Sequence, residues 1–455
     1  MGLGGKKKEA ARTSWVFRYV KFWRWRGGFC FSSLLLLLLI IAVKLLRASQ
    51  LFSWQQPTAS IPNWSQEVEA LQSFPVTEKK RFRSSASNSA LLAFVTIDPV
   101  AEQERNEAKQ LLDASFEEVA GWRSTTHVGS YRKGGSRRNH HDLNLRSRGR
   151  NKPDWRALLA SPRYMPLWPQ FRLLLKTWVL KNRAFQPTVM QDLVSTIKEM
   201  IDKPYSSSSS SAAAKSSEDK DKWSSRRRYN TCAVVGNSGM LLNRSYGVSI
   251  DGHEMVIRLN NAKTVGFEQF VGSKTTVSFV NSNILHQCSR KPQCFCHLYG
   301  AHVPIVVYLC QLIHFMDVAM CSSSMQKAPL IVTDPRFDSL TARIVKWYSA
   351  KRFVENTGRP LSDWSDAHEG PSFHYSSGMQ AVMLALGICD NVNLFGFGKL
   401  NGTKHHYHTS QKLELRLHDY EAEYCFYGDL VNRRFECIPF LDKAGIEIPA
   451  VHIFH

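Results

Sequence analysis

From about Tyr229 onward, the sequence of this 455-residue chain predicts an α/β fold, a Rossmann-like and mostly parallel sheet flanked by helices. Short apolar runs alternate there with longer stretches of helical period, the texture of a sheet covered on both faces. "TCAVVGNSG" at 231–239 reads as a buried strand entering a tight turn. "SSGMQAVMLALGICD" followed at once by "NVNLFGFG" reads as a helix feeding the next strand.

The strand candidates are, in order, "CAVVG", "MVIRLN", "TTVSFVN", "VPIVVYL", "PLIVTD" and "NVNLFGFG". Between the last two lie helix-like "RFDSLTARIVKWYSAKRF" and the helix beginning near Ser376. Ser376 or Ser377 suits an N-cap, and Met379, Val382, Met383 and Leu386 follow at helical spacing. Gly378 lets a ligand approach the backbone, and a helix start with free N–H groups suits an anion. The same stretch also reads as an ordinary capped helix. Residues 168–201 have helical period broken at Pro187.

The N-terminal part has a different texture. Residues 1–28 hold eight Lys or Arg against Glu9 alone, and an apolar segment, 29–46, follows. Lys44 and Arg47 flank its end, where a cleaved leader would have small residues. The expectation is an uncleaved type II signal anchor with a cytosolic basic tail and everything beyond it lumenal. So short a span suits the early secretory pathway, and the Golgi is the expected location. Residues 47–160 lack a sustained period and read as a flexible stem; 205–228 is a low-complexity insert in a catalytic domain spanning 161–455. The formal net charge of +21 fits a membrane surface or an acidic ligand; a lumenal address argues against nucleic acid. Nine cysteines follow Cys30, an odd number for an oxidising lumen. Sequons stand at Asn63, Asn243 and Asn401.

The turn after the first strand lacks the second glycine of the G-x-G-x-x-G pattern, and Asn237 and Ser238 stand in the turn. The second strand ends in Asn260 and Asn261, with no acidic residue to grip a nicotinamide-cofactor ribose. An asparagine offers both donor and acceptor to a phosphate, a ribose hydroxyl or a base edge. The one D-x-D pair, Asp219-Lys220-Asp221, lies in the low-complexity insert and reads as solvated charge. His405, His406 and His408 form a zinc-like cluster but read as loop histidines with no suitably spaced cysteine. Cys288, Cys294, Cys296 and His297 could be metal ligands; in a lumen, disulfides are the expectation. Cys425 and Cys437 are a further candidate pair.

Four stretches, in this order, resemble the motifs of the eukaryotic sialyltransferases, glycosyltransferase family 29. Residues 232–276, "CAVVGNSGMLLNRSYGVSIDGHEMVIRLNNAKTVGFEQFVGSKTT", resemble the large motif; "SSGMQAVMLALGICDNVNLFGFG" resembles the small one. "HHYHT" at 405–409 resembles the third motif and "HDYEAE" at 418–423 the very small one. The texture is most similar to the plant sialyltransferase-like proteins. The resemblance implies the sialyltransferase variant of the GT-A fold, a CMP-sugar donor, a glycan acceptor and no metal or other cofactor. It implies that Asn237 and Asn260 contact the nucleotide, with Ser238 and Gly239 shaping the turn, and that Ser376, Ser377 and Gly378 receive it. It places His406 and Tyr407 at the donor phosphate, makes His418 the general base, and has Glu423 hold the local geometry. It also implies a disulfide between Cys232 and Cys389. The transferred sugar is sialic acid or a related acidic sugar on this reading; UDP-galactose-dependent transfer to cell-wall glycans, or a catalytically idle relative, are the alternatives.

Overall fold

The computed structural model describes residues 87–97, 99–114, 164–181, 185–202, 228–286, 296, 298–322, 328–368, 373–400, 402–409, 411, 414 and 418–455. The chain divides into two compact units, 1–79 and 80–455, and every described residue lies in the second. The expected anchor at 29–46, most of the stem and insert, and the sequons' Asn63 and Asn401 lie outside the described residues. Among those described, no helix is long and apolar enough to cross a membrane.

Seven strands form one sheet: β1 (Cys232–Val235), β2 (Met255–Leu259), β3 (Val277–Asn281), β4 (Ile305–Tyr308), β5 (Leu330–Val332), β6 (Asn391–Phe395) and β7 (Ala450–Phe454). Their order is β5-β4-β3-β2-β1-β6-β7 and every pairing is parallel. Alternate residues of a strand point to opposite faces. Cys232 and Val234 accordingly join one apolar cluster, and Ala233 and Val235 join another across the sheet. The chain reverses its direction of travel across the sheet between β1 and β6, and ligands in such sheets bind beyond the strand C-termini at that switch point.

Among the described residues, seven helices have eight or more residues: α1 (Asn88–Thr96), α2 (Pro99–Asp113), α3 (Trp168–Leu180), α4 (Phe315–Ser322), α5 (Pro335–Thr357), α6 (Ser377–Ile388) and α7 (Tyr420–Val431). Helix α5 starts at an Asp334 cap with Pro335 next and stops at Gly358, which takes the left-handed conformation (φ 67°). Helix α6 is buried all round, which fits its short, entirely uncharged sequence.

The expected stem boundary needs correction. Helices α1 and α2 fall inside the region read as flexible, yet Leu91, Val95, Ala108 and Leu111 are core residues. Phe94 packs edge-on against Trp364 at 5.6 Å, and the Lys346 ammonium sits 4.6 Å from its ring centre. Helix α1 is only nine residues long, and the fifteen residues of α2 begin at a proline and are mostly polar, so neither stands out as an apolar run. Strand β7 and helix α7 also lie outside the expected elements: "AVHIF" is a short apolar run interrupted by His452, and helix α7 mixes charge with four aromatic residues.

Two disulfides are present among the described residues. Cys232 and Cys389 join the start of β1 to the end of α6, with Cα atoms 6.1 Å apart and a sequence separation of 157. Cys296 pairs with Cys321 at the end of α4. Cys425 and Cys437 remain unbonded and exposed, and Cys310 is also free.

Candidate active site

The strand ends enclose a cleft of about 340 Å³, within the roughly 300–1,000 Å³ of small-molecule sites. Gly236, Asn237 and Ser238 reach it from β1, Asn260 and Asn261 from β2, Asn281 and Asn283 from β3, and Gly396, Phe397 and Gly398 from β6. The first turn of α6 and the aromatic face of α7 close it.

Asn260 adopts φ 50°, a left-handed conformation that asparagine tolerates better than most residues. Its side-chain oxygen accepts the Asn281 backbone N–H at 3.0 Å, and its amide donates to the Ser377 hydroxyl at 3.3 Å. Glycines let β1 and β6 come together: a Cβ on Gly236 would lie 2.8 Å from the Gly396 carbonyl oxygen.

Ser376 is the N-cap of α6, accepting the Met379 N–H at 3.1 Å. Ser377 and Gly378 follow, and their backbone N–H groups belong to the helix start that has no intrahelical acceptor. Glu423, only 1% exposed, accepts from the Ser376 N–H at 2.6 Å, the Ser376 hydroxyl at 2.5 Å and the Tyr427 hydroxyl at 3.3 Å. Burial raises the Glu423 carboxyl to about 7, against the pull of those Ser376 and Tyr427 bonds.

His418 lines the cleft just before α7. Its Nδ1 lies 2.8 Å from the His374 carbonyl oxygen, a contact only an Nδ1–H can make. Nε2 is then the lone-pair nitrogen of the neutral ring. Burial lowers the His418 pKa, nearby His405 adds to the effect, and the bond to His374 opposes both. His406 lines the same cleft and is held down to about 4, chiefly by burial with help from His405 and His408. It is neutral near pH 7 and offers hydrogen bonds without charge.

Two of the expected donor-site residues sit elsewhere. Tyr407 is 4% exposed and does not line the cleft; its hydroxyl donates to the Lys263 carbonyl at 2.6 Å and its ring packs on Phe267. Its backbone N–H donates to the Asn237 carbonyl at 2.8 Å, so it pins the third-motif loop to the first turn and does not present its hydroxyl to the cleft. His405 and His406 both line the cleft, and the turn that follows them buries the Tyr407 ring. Gly239 likewise lies behind the wall, where a Cβ would lie 2.6 Å from the Lys404 carbonyl oxygen. Of the sequons, Asn243 is exposed. Among the described residues, no group of three or more His, Cys, Asp or Glu converges as a metal site.

A family model for glycosyltransferase family 29 (sialyltransferase) matches residues 175–435. The chain belongs to glycosyltransferase family 29. It is a glycosyltransferase, and all four stretches that resemble the family 29 motifs contribute to or border one cleft. Among its relatives, a beta-1,6-galactosyltransferase, GALT29A, of Arabidopsis thaliana is 48% identical over 81% of this chain and 87% of that protein. Sialyltransferase-like protein 1 of Oryza sativa subsp. japonica is 43% identical over 81% of this chain and 88% of its own length. A CMP-N-acetylneuraminate-beta-galactosamide-alpha-2,3-sialyltransferase of Gallus gallus is 30% identical, over 42% of this chain and 51% of that protein.

Sequence reasoning passed over Asn281, Phe397, Tyr420, Tyr424 and Tyr427, all on the wall of the family 29 cleft. For Asn281 a signal existed: "TTVSFVN" ends in asparagine, as the strand before it does. For the tyrosines only the docking of α7 decides which face looks inward.

Proposed function

We propose that this protein transfers galactose from a nucleotide-sugar donor to a hydroxyl of a glycan, with His418 as general base and without a metal. The observation that carries the mechanism is the His418 ring, oriented by the His374 carbonyl with a bare Nε2, beside a cleft of strand-end amides and an α6 helix start. The acceptor oxygen attacks the anomeric carbon as the bond to the donor phosphate breaks. The bonding pair leaves on the phosphate oxygen and the acceptor proton passes to Nε2. One in-line displacement inverts the anomeric centre. The backbone N–H groups at Ser377 and Gly378, with Asn237, Asn260 and His406, favour the charge on the departing phosphate.

The choice of galactose rests on the relative that is 48% identical over most of both chains. This reverses the order expected from the motifs, which put an acidic sugar on CMP first. That second reading retains support from the motif pattern and from the 30% identical sialyltransferase. Residues 29–46 are assigned as a Golgi signal anchor, placing the cleft in the lumen.

Full-length protein in detergent would be assayed with UDP-galactose and with CMP-linked acidic sugars, each with and without EDTA. Galactosyl transfer that persists in EDTA is the expected result. Transfer only from the CMP-sugar would select the second reading, and a strict Mn²⁺ requirement would overturn the metal-free mechanism.

A further inference from the structure

Asn281 closes β3 on the cleft wall, and nothing in the motif pattern gives it a role. Its side-chain amide donates to the Ser377 hydroxyl oxygen at 3.0 Å. The Asn260 amide donates to the same oxygen at 3.3 Å. The orientation of Asn260 is set from the other side, where its oxygen accepts the Asn281 backbone N–H at 3.0 Å. A serine hydroxyl has two lone pairs and one hydrogen. With both lone pairs occupied by amides, the Ser377 hydrogen is the part left for a ligand. The Asn281 side-chain oxygen is itself buried and has no hydrogen-bond partner. An orphaned buried acceptor of this kind calls for an explanation, and a ligand donor supplies one.

Ser377 and Asn281 thus present a donor and an acceptor side by side. A phosphate oxygen only accepts: it would satisfy Ser377 but set negative charge against the lone pairs of Asn281. A hydroxyl both accepts and donates and satisfies the two at once. We infer that Asn281 and Ser377 together read a ribose hydroxyl of the donor nucleotide, with Asn281 both touching it and holding the Ser377 hydrogen in position. The inference rests on the nucleotide-sugar reading of the cleft and assigns to its ribose a subsite that CMP and UDP share.

Calorimetric titration of the full-length protein in detergent, with CMP and UDP and their 2′-deoxy and 3′-deoxy forms, tests this. The wild type is expected to bind its preferred ribonucleotide at least about tenfold more tightly than one of the deoxy forms, the scale of one buried hydroxyl left unmatched. In Asn281→Ala that ratio should fall to within about twofold. Ser377→Ala should collapse it in the same way and serves if the first variant does not fold. In Asn281→Asp the carboxylate would take the Ser377 hydrogen, and ribonucleotide affinity should fall while the thermal midpoint holds. A wild-type ratio kept in Asn281→Ala and Ser377→Ala, or absent from the wild type, overturns this subsite but leaves the nucleotide-sugar reading standing. No binding of CMP or UDP by the wild type would overturn both.

Discussion

Glu423 holds Ser376 at two points, through the backbone N–H at 2.6 Å and the hydroxyl at 2.5 Å. The pair joins the first turn of α7 to the cap of α6, so the segment carrying His418 cannot move without disturbing the helix start that faces the ligand. Glu423→Ala would leave buried donors on Ser376 and Tyr427 without acceptors. A loss of about 2–4 kcal/mol is expected in denaturant unfolding, with Glu423→Gln costing less because its carbonyl still accepts one of them.

The same carboxyl makes stability depend on pH. Its folded value of about 7 lies above the ordinary carboxylate value of 4.5, so the folded state holds the proton more tightly. The contribution is fully present below the unfolded value and is lost as pH rises toward 7. Wild type minus Glu423→Gln, followed by urea midpoints across that window, should decline with rising pH. A flat difference would mean that Glu423 titrates normally.

His418→Ala should reduce turnover by about 10²–10⁴-fold while nucleotide affinity stays near that of the wild type. Because the His418 pKa lies below its ordinary 6.5, the ring stays an unprotonated base into mildly acidic conditions. The acidic limb of the kcat/KM profile should therefore fall below pH 6.5. Undiminished turnover in the alanine variant would remove His418 from the chemistry.

Tyr407→Phe deletes one buried hydrogen bond, to the Lys263 carbonyl. A stability loss of about 1 kcal/mol with little change in nucleotide affinity is expected. A large affinity loss at unchanged stability would return Tyr407 to the donor site.

The Cys232–Cys389 bridge spans 157 positions, and on a loop-entropy model a crosslink that long stabilises by about 5 kcal/mol. The Cys232→Ala/Cys389→Ala protein should show a matching fall in unfolding free energy, and reduction of the wild type should approach it. An equal midpoint in both proteins would contradict the stapling role.

Six of the strands, the cap near Ser376 and the order of the family stretches were legible because each depends on neighbours in the chain: a period, a turn, a capping hydroxyl. The asparagines at 237 and 260 were legible for the same reason, standing where strands end. Tertiary packing alone decided which of His406 and Tyr407 faces the cleft, that Asn281 shares a hydroxyl with Asn260, that Glu423 reaches Ser376, and that α1 and α2 belong to the domain. Those outcomes depend on the angle at which segments far apart in the chain come to rest against one another. No local pattern encodes that angle; it is set by burying apolar surface on both faces of the sheet at once.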